Sequence, residues 1–498
     1  MASESNAVGI QELIGIVGKD RVSTDRELLL KYGRGGGLVP DGEPVCVVYP
    51  RDSEDIQRIV KLANAVGLNL VPRSSSIPGA LGGAVPSGEG VIVDLSEMRE
   101  IIRLDRRNKV ALIEPGVTFG QLQAAAAAEG LKVLMPLIPG ASGSVLASYL
   151  EREPITIPKY HWDMTDPLLC IEVIFGTGDM FRTGGAAGPG TLEEQWASGA
   201  AQKNPMGPAH TDFAKLVQGG QGTMGIVTWA SVKLELLPRA RRLFFIQAED
   251  LGELQGFIYK ALRLRLGDEF LVLNNFSLAS ILRENRERIG AMTRKQSTWT
   301  LVFCVAGYEY FPQERIAFQE NDIREITRAF GLEMKEEIPG ASAETMMRLL
   351  DNTAGGTHWK SRYSGGCRDI FFLTTLDRVA AFIEVMNKSL VTADYPMEEM
   401  GIYIQPIQHG RACHLEFNLP YDPDDINETE KVNNLLLRAS EELLEAGAFF
   451  SRPYGPWARM AYARCPDSVE ALKKVKGIVD PGGVMNRGKL CFTEEVRT

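Results

Sequence analysis

The sequence predicts an α+β fold, and three observations carry that prediction. Helix-like and strand-like segments alternate through the first half. Loops rich in glycine and serine follow strands or precede them at three separate places. Beyond Pro238, where Arg239, Arg241 and Arg242 cluster, the pattern changes to longer helices between strands, so a boundary is expected there. The composition agrees. Of 498 residues, 44% are hydrophobic and 24% charged, which is globular and long enough for two to four domains.

Taken in order, Asp52 and Ser53 can cap a helix carrying Ile56, Ile59, Val60 and Ala63, and Gly67 can stop it. Residues 68–71 then read as a strand ending at Pro72, and 91–95 as another. Residues 110–117 form a third strand, broken at Pro115-Gly116. Thr118 and Gln121 make a capping box before Leu122 and an alanine run, closed by Gly130. The short apolar run 132–138 reads as a buried strand. Residues 171–183 read as a hairpin turning at Gly176–Asp179, and 226–236 alternate as a strand should. In the second half, helices are expected at 251–266, 313–331, 376–390 and 428–446, and a capped one from Asp467 to Val479.

Charge and cysteine usage narrow the function classes. Lys and Arg number 54 against 64 Asp and Glu, a net charge of −10. Arg106-Arg107 and Lys473-Lys474 are too short for a nucleic-acid patch. No run of 18 apolar residues predicts a membrane span, and the first residues lack a signal-peptide pattern. The seven cysteines are scattered without a CxxC pair, which leaves buried thiols in a cytoplasmic protein as the expectation.

The small-residue loops carry the chemistry. Gly220-Gln-Gly-Thr-Met-Gly225 spells a dinucleotide fingerprint, but that motif needs a strand before it and a helix after. Here the helix-like 212–217 precedes and a strand follows, so a nicotinamide site is not expected. Residues 72–84 follow a strand and offer three consecutive serines with unshielded backbone N–H groups, a nest for phosphate oxygens. Residues 139–145 repeat the arrangement and 219–225 supply a third loop. Together they suit an elongated ligand threaded past exposed backbone, such as a dinucleotide.

Five motifs occur in a telling order: Val71-Pro-Arg-Ser-Ser-Ser76 with Gly82-Gly-Ala84, Val91-Ile-Val-Asp-Leu95, Glu114-Pro-Gly-Val117, Thr223-Met-Gly-Ile-Val-Thr228, and 480–490. Over residues 40–238 and the last 30 or so, the chain resembles the flavin-dependent family of vanillyl-alcohol oxidase and p-cresol methylhydroxylase, which also contains D-lactate and glycolate dehydrogenases. Residues 143–146, Glu151-Arg152, Tyr160-His-Trp162, Glu172-Val173 and Arg182-Thr-Gly184 look closest to the vanillyl-alcohol-oxidase branch. The resemblance implies FAD bound by residues 1–238 as two α+β subdomains meeting near 100, an α+β cap at 239–465, and a segment 466–498 that returns to the FAD domain. It places Arg73, Ser74, Ser75, Ser76, Ile77, Gly82 and Gly83 on the first cofactor loop, where the family usually has Arg-Gly-Gly-Gly. Pro115, Pro139, Gly140, Ser142, Gly143 and Ser144 follow, then Gly225, Ile226 and Val227, and finally Asn486, Arg487 and Lys489.

The same resemblance implies where substrate chemistry sits. In the metal-dependent hydroxy-acid branch, histidines of a cap strand and a later Glu-His bind the metal; here His414 matches one ligand position, while Ile407, Pro453 and Tyr454 occupy the others, so no metal is expected. His409 and His414 stand five apart, on opposite faces if both lie on one strand. The phenol-oxidising branch holds a phenolate with two tyrosines and an arginine. Arg452 matches the arginine; Leu81 and Ser451 stand where tyrosines would, and Gly140 lies near an expected aspartate. Tyr454, Tyr160 and Tyr403 are the available substitutes. His409 falls where that branch attaches flavin from the cap; a partly buried structural histidine is the competing reading, and a non-covalent FAD is expected. Arg411, Arg362 and Arg368 read either as carboxylate clamps or as surface ion pairs.

The expected protein is an FAD-dependent oxidoreductase. Arg452 or Arg411 would stabilise developing negative charge, and His409, Tyr454 or His161 would take a proton. The first reading is oxidation of an alcohol or aryl-alkyl, phenolic-type small molecule. The alternatives are a metal-independent D-2-hydroxy-acid dehydrogenase and a flavin subunit of an electron-transfer complex. A homo-oligomer with a small-molecule substrate, and with oxygen or a protein as electron acceptor, completes the expectation.

Overall fold

The computed structural model describes residues 2–36, 39–75, 82–164, 166–208 and 210–492. Three sheets organise these residues, in keeping with the α+β expectation. In the first, the strands Val22–Ser23, Glu43–Val48, Glu89–Asp94 and Leu70–Arg73 lie side by side in that order, and the last three run parallel. Parallel neighbours need a crossover, and the helix Ser53–Val66 supplies one. Asp52 caps it by accepting from Asp55 N–H at 2.9 Å, and Gly67 ends it at φ 78°. Ile56, Ile59, Val60 and Ala63 are fully buried against Cys46, Val48, Leu70, Val91 and Val93. The strand expected to stop before Pro72 instead runs through it to Arg73. It lies at the sheet's edge, where a missing N–H breaks no ladder. Residues 484–486 bond to its beginning: Leu70 N–H donates to Val484 O and Asn486 N–H to Leu70 O, both at 2.8 Å.

The second sheet is antiparallel, in the order Ile101–Asp105, Val110–Ile113, Gly225–Leu236, Leu168–Phe175, Met180–Arg182. The expected capping box of Thr118 and Gln121 opens the helix Phe119–Ala128. The run 132–138 is a correction. Only Leu131–Val133 forms a strand, paired with the far end of Gly225–Leu236, and beyond it Pro136 makes one isolated bridge to Ile155. Pro136 and Pro139 cannot donate to a ladder, and Ile138 sits at φ 52°, so the chain peels away and lines a cavity with Pro136, Leu137 and Pro139.

The third sheet is antiparallel and seven-stranded: Met334–Lys335, Ala240–Ala248, Trp299–Gly307, Phe270–Asn274, Gly401–Ile407, Ala412–Tyr421, Gly366–Thr374. The helices Leu251–Arg263, Pro312–Ala329, Val379–Thr392 and Ile426–Glu445 cover one face and share its core through Leu254, Ile316, Phe382 and Leu435. Register decides what the other face shows. Phe371 and Tyr403 each lie opposite Glu416, Asp369 lies opposite Asn418, and Gln405 lies opposite His414. Opposed residues share a face, and successive residues alternate. Ile370, Phe372, Leu415 and Phe417 therefore join the helix-covered core, and Asp369, Phe371, Tyr403, His414, Glu416 and Asn418 turn the other way. Among the described residues no helix is long and apolar enough to cross a membrane. The seven cysteines are free thiols.

Candidate active site

A cavity of 570 Å³ lies where the three sheets meet, within the size range of cofactor and substrate sites. Its first end is made by the predicted loops. Arg73 ends the edge strand and Ser74 and Ser75 follow it, and Gly83, Pro115, Pro139, Gly140, Gly143 and Ser144 continue the wall. Gly225, Ile226 and Val227 stand at the start of the long strand of the second sheet.

Serine hydroxyls hold these loops together. Ser144 caps the helix Val145–Leu150 by accepting from Ala147 N–H at 3.0 Å, and its hydroxyl donates to Pro115 O at 2.6 Å. The Ser144 N–H donates to Ser75 Oγ at 2.8 Å, and the Ser74 hydroxyl reaches Ser144 Oγ at 3.2 Å. Arg73 packs its guanidinium over Tyr32 at 4.4 Å and donates from Nε to Ser75 O at 2.9 Å.

The other predicted cofactor residues are placed as follows. Ser76 and Ile77 lie outside the described residues. Gly82 has φ 76° and packs on Val39. Ser142 is exposed and off the cavity wall. Asn486 is buried and ties two loops, donating to Gly83 O at 2.8 Å and Gln221 O at 2.6 Å. Arg487 N–H donates to Asn69 Oδ1 at 3.0 Å. Lys489 is buried, and that burial lowers its amine to about 8.

These residues fit FAD. The loop end offers neutral hydroxyls, glycine backbone and one arginine, the donor set suited to a diphosphate. The Oδ1 of Asn486 is buried with no partner among the described residues, beside the first loop. Ser74, Ser75, Gly140, Gly143 and Ser144 would hold the phosphates, and Ile226 and Val227 would lie against the ring system. Ser144→Ala should remove a helix cap worth about 1 kcal/mol and weaken FAD uptake by the apoprotein, read by flavin fluorescence quenching. Unchanged FAD affinity would remove Ser144 from the cradle.

The cap closes the other end with His358, Trp359, Lys360, Asp369, Phe371, Tyr403, Glu416 and Arg452. Lys360 Nζ donates to Asp369 Oδ2 and to Glu416 Oε1, each at 2.6 Å. Asn418 donates to Asp369 Oδ1 and Glu416 Oε1, both at 2.7 Å. His414 Nε2 lies 3.1 Å from Glu416 Oε2. Burial opposes charge on Glu416, but Lys360 and His414 win, and its carboxyl sits well below the usual range. Lys360 is likewise held above its ordinary value by Asp369 and Glu416 against its own burial. Burial lowers His414, so its ring is neutral and its Nε2–H is the donor to Glu416. Its ring is thus committed to Glu416, and among the described residues no three His, Cys, Asp or Glu side chains are grouped to hold a metal.

Arg452 is the exception in this network. It is 5% exposed, yet it makes no hydrogen bond or ion pair among the described residues. Its guanidinium stacks 4.0 Å from the centre of the Phe371 ring and 5.8 Å from that of Trp162. Burial lowers its pKa, with Asp163, Glu153 and Glu416 opposing, but an arginine stays charged. Trp359 is 2% exposed, and its indole N–H is also without a partner among the described residues.

The remaining predicted catalytic residues separate. Tyr454 is buried behind the wall, its ring 6.5 Å from Phe371 and beside Gly83. His409 and His414 do not share one strand: the chain breaks at 408–410, where Gln408 and His409 have φ 47° and 55°. His409 N–H is tied to Pro158 O at 2.8 Å, and the residue is off the cavity wall. Arg411 is exposed at the same turn. His161 donates its backbone N–H to Asp166 Oδ2 at 2.9 Å and also lies off the wall. Arg362 donates to Ile281 O at 3.0 Å and lies off the wall, whereas Arg368 lines the cavity and donates to Asn433 Oδ1 at 2.9 Å.

Sequence reading missed Lys360, Glu416, His358 and Glu151. One signal was available: His414, Glu416 and Asn418 alternate with Leu415, Phe417 and Leu419, a strand with one polar face. Burial and the nearby Lys360 lower His358 to about 4. Between 6.5 and about 4 the unfolded chain binds a proton that the folded chain refuses, so stability is complete above pH 6.5 and falls as the pH drops through that window. The loss is at most about 3 kcal/mol. His358→Asn should flatten that part of a Tm-versus-pH curve; an unchanged slope would contradict the assignment.

Comparison with known proteins bears on the cavity's first end directly. A model described as FAD binding domain matches residues 44–157. A D-2-hydroxyglutarate dehydrogenase of Stutzerimonas stutzeri is 24% identical, over 97% of this chain and 98% of that protein. Among solved structures, a 4-ethylphenol oxidase from Gulosibacter chungangensis superposes with a TM-score of 0.82 at 19% identity, covering 99% of this chain and 98% of its own. p-Cresol methylhydroxylase with substrate bound gives 0.81 at 18%, covering 98% and 97%.

Proposed function

We propose that the chain is an FAD-linked oxidoreductase similar to vanillyl-alcohol oxidase and p-cresol methylhydroxylase, and that it oxidises a small molecule whose anionic group is held by Arg452. The carrying observation is that guanidinium: buried, facing the cavity, and without a hydrogen-bonding partner among the described residues. A buried charge left unpaired is costly, and a bound anion removes the cost. When bound, the flavin supplies the two-electron acceptor. The chain's own contribution is position. Phe371, Tyr403 and Trp359 line the chamber with rings, a surface suited to an aryl-alkyl substrate presented as its phenolate, and this is the first reading. The Lys360–Glu416–His414 network fixes the strands that carry Phe371 and Tyr403.

A second reading, oxidation of a D-2-hydroxy acid without a metal, draws on the same guanidinium. Its planar fork suits a carboxylate bidentately, and the full-length similarity to a D-2-hydroxyglutarate dehydrogenase points the same way. Anaerobic mixing with 4-alkylphenols and with D-2-hydroxy acids separates the two, since bleaching of the flavin absorbance reports the productive class. Bleaching by neutral alcohols alone would overturn both readings. Whether the electrons pass to oxygen or to a protein acceptor is read by repeating the turnover in air.

A further inference from the structure

Glu151 immediately follows the helix Val145–Leu150. The chain turns at the next residue, Arg152, which has φ 57°. Backbone bonds fix the turn: Glu151 N–H to Ala147 O at 2.8 Å, Arg152 N–H to Tyr149 O at 3.2 Å, and Glu153 N–H to Ser148 O at 3.1 Å. Both neighbours of Glu151 are committed elsewhere. Arg152 donates to the carbonyl of Ser451 and approaches Asp163 at 3.8 Å, and Glu153 accepts from the Ser148 hydroxyl at 2.6 Å. The Glu151 carboxyl instead lies on the cavity wall and makes no hydrogen bond or ion pair among the described residues. Its Oε1 is 3.7 Å from where a side chain on Gly83 would begin, so it stands beside the predicted first cofactor loop. Arg452 lies on the same cavity wall.

We infer that Glu151 is the proton acceptor of the reaction, taking the hydroxyl proton of an alcohol whose anionic group Arg452 holds. This rests on the reading under Proposed function and narrows it to substrates with a hydroxyl on the carbon that is oxidised, a 2-hydroxy acid or a benzylic alcohol. The step balances. The O–H bond breaks and its proton goes to Glu151; the oxygen's electron pair closes the C=O bond as the C–H electron pair leaves, and FAD, held at the loop end, would supply the acceptor for that hydride. The substrate loses two electrons, which bound FAD would accept. The charge environment suits the role. Burial and the charge of Glu153 raise the carboxyl to about 7, with Arg452 and Arg152 opposing, and a base poised near the working pH is the efficient one.

The test compares holoenzyme of the wild type with Glu151→Gln. Benzoate, an anion that cannot be oxidised, serves as the probe, its binding read from the flavin spectrum. In the wild type its dissociation constant should rise several-fold as the pH passes upward through about 7, because ionised Glu151 repels the anion. Glu151→Gln should bind with no such step. With whichever alcohol bleaches the flavin, Glu151→Gln should reduce about 10²–10⁴-fold more slowly and lose the matching ionisation from its pH profile. A benzoate step or pH–rate profile in the variant matching the wild type would overturn the inference. Failure of Arg452→Ala to weaken benzoate would instead overturn the anion reading itself, so the two failures are distinguishable.

Discussion

Replacing Arg452 with alanine should slow substrate reduction of the flavin by about 10³-fold or more while FAD stays bound. The size follows from what is removed. Arg452 is buried, stacked on Phe371, lines the cavity, and makes no hydrogen bond or ion pair among the described residues. The other cavity-lining cations of the cap are engaged, Lys360 by Asp369 and Glu416 and Arg368 by Asn433. A charged donor aimed at developing negative charge in a desolvated site is commonly worth about 3–5 kcal/mol. The loops that would hold FAD lie at the other end and share no hydrogen bond with it among the described residues, so the yellow spectrum should survive. Stopped-flow reduction with the productive substrate checks this, and wild-type rates would exclude Arg452 from the site. Lysine at the same position should rescue poorly, because an ammonium cannot reproduce a stacked, bidentate fork.

Lys360→Met should destabilise the protein by about 3–5 kcal/mol. Lys360 neutralises two carboxylates at once, each at 2.6 Å, and Glu416 and Asp369 face one chamber on neighbouring strands. Taking the ammonium away strands both charges in a poorly solvated place. Glu416→Gln added to Lys360→Met should restore part of the loss, since one stranded charge disappears. Urea midpoints and Tm values of the two variants decide it. A single variant as stable as the wild type would mean the network is solvated and contributes nothing.

Much of the FAD-binding end was legible because its chemistry is local. Three loops of small residues, each beside a strand, announce close approach of backbone to ligand, and Ser74, Ser75, Gly143 and Ser144 all line the cavity. The reversed order around Gly220–Gly225 also read correctly as a loop entering a strand, and Gly225 opens the strand to Leu236. The substrate end was less legible, because it is assembled from elements far apart in sequence. Glu416 becomes a partner of Lys360 only through the pairing of Gly366–Thr374 with Ala412–Tyr421. His409 looked catalytic by position along the chain, yet a left-handed turn at 408–409 takes it off the strand that carries His414. Glu151 was visible only as part of a motif, since its freedom depends on Arg152 being spent on Ser451, nearly three hundred residues later.

The central claim is that one cavity holds FAD at its serine-lined end and an anionic substrate against Arg452 at its cap end. Anaerobic titration of the purified yellow protein tests it most directly, using matched pairs of substrates that differ only in bearing or lacking the acidic group. Bleaching by the anionic member alone, lost in Arg452→Ala, is the expected result. Equal bleaching by both members of a pair, in the wild type and in Arg452→Ala alike, would contradict it.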